Sequence, residues 1–387
     1  MKASAFVYPW DVNADPAAPG RIAALGVRQV TLAAAYHSTR TLTPRHPRHR
    51  IVTAEHAAVL YPTDDRWRGR RLRPYPAGDW APGDAYGEAA TALADAGLEV
   101  HSWVVLAHNS RLGAEHPDTS VVNAYGDRYP WAPCIAQPAT RAYLVDLAAE
   151  AAVRPGTRGT ELESLGWYGL QHLHAHDKTA SVPLGDAGQY LMALCFCPTC
   201  QEGYATQGLD AAELAAAVRA ALEPLWQGTA ADEGWAGVEK LLGESTAAAT
   251  RAWRDERART LQETAVRAVR RAAPDGFQVL LHADPVTYHT GANPGVDPGH
   301  ILSVADGVVV PCAGGPEPLT PFAEQGREEA VLAANLGVVS GMGGSPGTLA
   351  SDAARARGCG ATEIRLYHAG LASDGDLAAV REGLAAL

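Results

Sequence analysis

The chain of 387 residues is 47% hydrophobic and 19% charged, which excludes a disordered polymer and leaves room for a large buried core. Its 32 Lys and Arg stand against 43 Asp and Glu, giving −11, and the arginines are scattered rather than gathered into a stripe, so nucleic acid is excluded as a partner. No apolar run reaches the length of a signal peptide or a membrane span, so no membrane contact is expected and the expected compartment is the cytoplasm.

Eight short stretches rich in β-branched and apolar residues recur along the chain: Ala3–Tyr8, Gln29–Ala35, Leu98–Ala107, Gly159–Leu165, Phe277–Ala283, Gly307–Pro311, Leu336–Ser340 and Glu363–His368. Ala-rich helical pattern separates most of them, and that alternation predicts an α/β fold, a (β/α)8 TIM barrel. Several strands follow a glycine turn, at Gly26, Gly97 and Gly360, where a helix ends in a left-handed cap. The segments after the strands are longer and more polar, from Tyr36 to Trp80, His108 to Gln137 and Gly166 to Asp186. Barrel enzymes place their chemistry at that strand end, so these loops mark the functional face. The Tyr36–Trp80 segment reads as a lid, and its basic stretch Arg66–Arg73 as a phosphate contact or a solvated loop. No linker divides the chain, which reads as one barrel domain, 1–387. Within it, 186–273 carries a cysteine-rich loop and a helical insertion after the fourth strand. The amphipathic pattern of that insertion packs on the barrel or pairs two subunits of a homo-oligomer.

Cys195-Phe196-Cys197-Pro198-Thr199-Cys200 places three thiols in one turn-forming hexapeptide, and with Cys134 as a fourth ligand they suit a tetrahedral ion. An all-thiolate site is closed to water, so the expected zinc is structural; a redox cluster or plain core cysteines are the alternatives. Glu161 and Glu163 alternate on one face of the fourth strand, with Glu163 nearer the mouth, where burial raises a carboxyl towards the range of a general acid. The competing role is an ion pair. Asp11, Tyr36, His37, His108, Asn109, His282, Asp284 and His368 lie at the other strand ends, a ring of hydrogen-bonding groups suited to a polyhydroxylated ligand or, singly, to packing. Trp10, Trp103, Trp131 and Trp167 lie beside them and offer flat faces to sugar rings or to the core. His172, His174 and His176 alternate in one loop and present three imidazoles to a metal, or bind substrate hydroxyls without one.

Tyr8-Pro9-Trp10-Asp11, Ala34-Ala35-Tyr36-His37, His108-Asn109-Ser110-Arg111-Leu112 and the cysteine hexapeptide together resemble an uncharacterised bacterial barrel family related to glycoside hydrolases. The order Cys134, Glu163, Cys195, Cys197, Cys200 is similar to that of the family forty-two β-galactosidases, where a zinc cluster flanks the acid/base glutamate of strand four. Two departures stand out. Leu162 replaces the Asn that precedes that glutamate, and the seventh strand, read as Leu336–Ser340, offers no nucleophilic carboxylate.

The resemblance implies a carbohydrate-active hydrolase with Glu163 as acid and Asp284 or Asp11 as base or nucleophile. Trp10, Tyr36, His37, His108, Asn109, Trp167, His174, His282 and His368 are the expected substrate contacts. A metal-dependent hydrolase or isomerase using the histidine loop, and a non-catalytic sugar-binding barrel, are the alternatives.

Overall fold

Parallel strands need a crossover long enough to return the chain, and eight such units close the sheet on itself. A computed structural model describes residues 1–172 and 177–387. Its barrel strands are β1 (Lys2–Val7), β2 (Gln29–Tyr36), β3 (Glu99–Val105), β4 (Gly159–Glu163), β5 (Gln278–His282), β6 (Gly307–Pro311), β7 (Val331–Gly337) and β8 (Glu363–Tyr367). Each pairs in parallel with the next, and β1 pairs with both β2 and β8, closing the ring. The fold is the expected TIM barrel, with helices on its outside. Gly26 and Gly97, at φ 94° and 82°, make the tight left-handed turns into β2 and β3.

Seven strands fall close to their expected places, whereas β7 begins five residues before Leu336. The expectation followed the apolar run Leu336–Val339, but β7 runs through Asn335, which pairs in register with Pro311 and Arg365. The residues after Gly337 leave the sheet and turn through Ser340–Met342.

Alternate residues of each strand face the barrel axis. One layer is apolar on one side, where Leu280, Val309 and Ala333 pack together. Its other side is polar: the Ser4 and Thr31 hydroxyls meet at 2.9 Å, Thr31 donates to Glu161 at 3.1 Å, and Arg365 Nε donates to Glu161 Oε1 at 2.6 Å. Arg365 also holds Glu363 at 2.8 Å. Glu161 and Arg365 are wholly buried.

Outside the barrel, the 29-residue helix Glu244–Ala272 packs along Pro138–Ala152 and returns the chain to β5. Trp253, Leu261, Ala265 and Val269, four or eight residues apart along it, are buried. Helices Gly185–Ala193, Pro198–Thr206, Ala211–Trp226 and Gly234–Leu242 stand between β4 and that helix. Among the described residues no helix is long and apolar enough to cross a membrane.

The buried pair sets a test of the core. Arg365→Met leaves Glu161 uncompensated, and denaturant unfolding is expected to show a loss of about 3–5 kcal/mol. The double variant Glu161→Met/Arg365→Met is expected to recover most of that loss, since it removes the stranded charge with its partner.

Candidate active site

β4 carries Glu161 down into the barrel and, two residues on, Glu163 up to its mouth. Glu163 is 4% exposed, and its Oε2 accepts a 2.6 Å hydrogen bond from Trp103 Nε1 of β3. His282 of β5 sits between the two carboxylates, with Nδ1 3.9 Å from Glu163 Oε2 and Nε2 3.6 Å from Glu161 Oε2. Burial pushes the Glu163 carboxyl above its ordinary range; His282 and the Trp103 hydrogen bond oppose this, and the Glu161 charge adds to it. For Glu161 the balance is reversed. Its burial penalty is outweighed by Arg365 and His282, which hold it down at about 2.

Two residues beside this floor adopt the left-handed conformation that a side chain disfavours. Ser164, at φ 57°, ends β4 immediately after Glu163, and His368, at φ 60°, ends β8. Such strain costs on the order of 1–3 kcal/mol each and persists where the surroundings fix it.

Rings at the ends of β1, β2, β3, β4 and β8 pack against one another beside Glu163. Tyr36 stacks on His37 at 4.3 Å, His37 meets His108 at 4.8 Å, and His108 stacks on Tyr168 at 4.2 Å. Trp10 stacks on Tyr8 at 4.6 Å, and Tyr8 Oη is 3.2 Å from His368 Nδ1. Burial pushes His37 down to about 4, His108 to about 2 and His368 to about 3, so these imidazoles are neutral at pH 7.

A cavity of about 770 Å³ opens above the ends of β4 to β8. Glu163, His282, Asn335 and Tyr367 line it, and the glycine-rich turn after β7 and the loop after β6 form its far walls. Glu317, on the latter loop, is exposed and makes no ion pair or hydrogen bond among the described residues. Asp352 also faces the cavity but is bound to Thr348 at 2.7 Å and to Arg355 at 2.7 Å.

The structure thus brings Glu163 and His282 together in the cavity, and Trp10, Tyr36, His37, His108 and His368 into the ring wall. Other expected site residues are engaged elsewhere. Asp11 accepts the Tyr8 amide at 2.8 Å in the cap of helix Pro9–Val12, lies outside the cavity lining, and is pushed up to about 7 by burial against the Tyr8 amide and Arg45. Asp284 Oδ1 accepts the Val286 amide at 2.8 Å, and its Oδ2 lies 3.1 Å from His289 Nδ1, in an adjoining cleft. Asn109 caps helix Ser110–Glu115 through Leu112 N, and Trp167 donates its indole N–H to Arg254 O at 3.0 Å. Trp131 donates to Gly169 O at 3.2 Å. His174 and His176 lie outside the described residues, while His172 meets the His108 ring at 5.7 Å. Arginines of the Arg66–Arg73 stretch pair with Asp64, Asp65, Asp146 and Asp118.

Sequence reasoning missed Asn335, Tyr367, Tyr168 and Glu317. Asn335 was hidden by the misplaced β7. Tyr168 and Tyr367 follow from the same strand-end rule that selected Tyr36, whereas nothing in the loop around Glu317 singles it out.

Cys134, Cys195, Cys197 and Cys200 are all buried, with ligand atoms within 4.8 Å of one another, and could hold a metal ion. Cys134 Sγ is 3.7 Å from Cys197 Sγ and 3.6 Å from Cys200 Sγ. A tetrahedron with metal–sulfur bonds of about 2.3 Å has edges of about 3.8 Å, whereas a disulfide needs about 2.05 Å. The spacing fits coordination and excludes bonded sulfurs.

No protein-family model matches this sequence, and no curated protein matches it. Solved structures do share its fold. The α-L-fucosidase isoenzyme 2 from Paenibacillus thiaminolyticus superposes with a TM-score of 0.60 at 12% identity, over 99% of this chain and 48% of that one. The PgaB (BpsB) glycoside hydrolase domain from Bordetella bronchiseptica gives 0.54 at 15% identity over 99% of both chains. A β-galactosidase from Bacillus circulans sp. alkalophilus gives 0.56 at 12% identity over 100% of this chain and 55% of that one. The chain therefore spans about half the length of the fucosidase and the galactosidase. These structural neighbours are glycoside hydrolases, and the likeness establishes the shared barrel.

The sulfur geometry sets the next test. Elemental analysis of the purified chain is expected to find one thiolate-bound metal ion, and Cys200→Ser is expected to lose it and to lower Tm. A metal-free chain with unchanged Tm after chelation would show that the cluster is held by packing alone.

Proposed function

We propose that the chain is a glycoside hydrolase acting on a small glycoside or oligosaccharide, with Glu163 as its general acid. The observation that carries this reading is one buried carboxyl, raised in pKa, that lines an open cavity and is backed by a packed cluster of aromatic and imidazole rings. An acid that stays protonated in a site of this kind is what glycosidic cleavage needs, because the leaving oxygen must gain a proton as its bond to the anomeric carbon breaks. Asn335, Tyr367 and the neutral imidazoles of His37, His108 and His368 supply donors and acceptors for hydroxyls, and the flat rings supply apolar faces.

A second carboxylate must activate water. Both oxygens of Asp284 have polar neighbours in its own loop, and Asp11 is tied to its helix cap, whereas Glu317, on the wall of the same cavity, has no ion-pair or hydrogen-bond partner among the described residues. We assign Glu317 the role of general base. Water gives its proton to Glu317 as its oxygen bonds the anomeric carbon, and Glu163 gives its proton to the departing oxygen on the other face. A base that activates water directly, with no glycosyl–enzyme bond, implies inversion. The metal on the four cysteines is zinc, held for structure: four thiolates leave no open position for water.

Glu163→Gln is expected to lower kcat about 10²–10⁴-fold on methyl glycosides. Dinitrophenyl glycosides, whose leaving group needs no proton, should lose far less. The raised pKa has a defined sign: activity holds while Glu163 is protonated and falls as pH rises through a midpoint above the ordinary carboxyl range. That basic limb should vanish in Glu163→Gln. A panel of neutral, amino and acidic glycosides with no turnover by the wild-type chain, yet saccharide binding unchanged by Glu163→Gln, would identify a sugar-binding barrel instead. NMR of the first-formed anomer reads inversion or retention directly.

A further inference from the structure

Beside the central cavity lies a second cleft of about 380 Å³, which shares Asn293 and Pro311 with it as a common wall. Its far side is helix Gly185–Ala193, from the segment between β4 and the long crossover helix, and its near side is the loop after β5. Two carboxylates face each other across one imidazole. His289 Nδ1 is 3.1 Å from Asp284 Oδ2, and His289 Nε2 is 3.9 Å from Asp186 Oδ1. Tyr288 Oη donates to Asp186 Oδ2 at 3.5 Å. Burial works against a charged His289, but the two carboxylates outweigh it and raise its pKa.

An aspartate in the first turn of a helix often serves only the helix dipole. Here three further features point to a ligand. An aromatic wall is braced from behind: Trp235 meets Tyr190 at 5.3 Å and Tyr288 at 5.5 Å, and the Arg251 guanidinium covers Trp235 at 4.7 Å while binding Thr287 at 2.7 Å. Gln171, Gln189 and Asn293 line the same space, and Asn293 Oδ1 is buried without a hydrogen-bond partner among the described residues, at the wall shared with the central cavity. Finally, Asp186, Asp284 and His289 keep 25–40% of their side-chain surface open, so the carboxylates are accessible to a ligand.

A preformed cleft with an aromatic wall and a few convergent polar groups is the usual make-up of a sugar site. Its acceptors exceed its donors, and neither Lys nor Arg is among its described lining residues. We propose that this cleft is a second sugar subsite, continuous with the central cavity, that takes a residue rich in hydroxyl or ammonium donors and rejects hexuronates. This rests on the glycoside hydrolase reading, and it makes the substrate an oligosaccharide of neutral or amino sugars.

The test uses the full-length Glu163→Gln chain on an array of mono- to hexasaccharides of neutral hexoses, glucosamine and hexuronic acids, followed by calorimetric titration of the best binder. Neutral or glucosamine oligomers are expected to bind at least about tenfold tighter than their monosaccharides, a gain of roughly one decade in Kd. Adding Asp186→Asn or Tyr288→Ala should abolish that gain while monosaccharide affinity stays unchanged. A gain confined to glucosamine oligomers assigns the carboxylates to ammonium; a gain shared by neutral oligomers assigns them to hydroxyls. The proposal is overturned if oligomers gain nothing, if both variants leave the gain intact, or if hexuronate oligomers bind best. Loss of all saccharide binding sinks the hydrolase reading as well, whereas monosaccharide binding without an oligomer gain sinks the subsite alone.

Discussion

The Glu161–Arg365 pair is the contact from which the site is built. β4 and β8 stand opposite each other in the eight-stranded ring, so this 2.6 Å hydrogen bond spans the barrel with both groups fully buried. Taking two such charges out of water costs several kcal/mol each, which only close geometry and further hydrogen bonds offset. Thr31 and Glu363 supply those bonds. Because strand side chains alternate, fixing Glu161 inward also fixes Glu163 inward, one layer higher and at the mouth. Slipping β4 by one residue turns both carboxylates out of the barrel, so the ion pair specifies the register that places Glu163 at the mouth.

The two glutamates differ by one layer and have opposite fates. Glu161 has a guanidinium beside it and is held as a carboxylate. Glu163 has an indole N–H, an imidazole and four tyrosines, Tyr8, Tyr36, Tyr168 and Tyr367, whose phenols burial pushes above their ordinary range while the Glu163 charge adds to the shift. No arginine or lysine stands beside it among the described residues. Two carboxyls pushed apart in pKa by their surroundings are the arrangement from which acid and base roles are commonly assigned, although here the lower one is spent on the core.

Much of the barrel was legible because strand periodicity and helix periodicity are local. Seven strands, the side of the long loops and the cysteine cluster all follow from short windows of sequence. The exceptions share a cause. β7 was displaced because Asn335, polar and at a mouth position, interrupts an otherwise apolar run, and the same residue was consequently missed as a cavity group. Asn109, Trp167 and Asp284 look like site residues by type and position, yet each has polar atoms committed to backbone partners, a commitment that depends on how loops fold. Glu317 presents the converse case. A lone glutamate in a Gly- and Pro-rich loop carries no pattern, and only the closure of the barrel brings it to the wall of the cavity that holds Glu163.

The cysteine cluster and the second cleft are joined by covalent chain. Helix Gly185–Ala193 carries Asp186, Gln189 and Tyr190 to the cleft, and two residues after it ends comes Cys195. The same loop is pinned to the strand pair Ser120–Val122 and Arg128–Pro133 by Phe196 N donating to Val122 O at 2.6 Å, and by Cys134, which follows directly after Pro133. A metal ion on these sulfurs therefore fixes the C-terminal end of the helix that walls the cleft, although it touches neither carboxylate. Without such a clamp, the position of Asp186 opposite His289 rests on helix packing alone, chiefly Tyr190 against Thr250 and Trp235. A thiolate site closed to water can in this way hold the wall of a cleft in place without itself lining it.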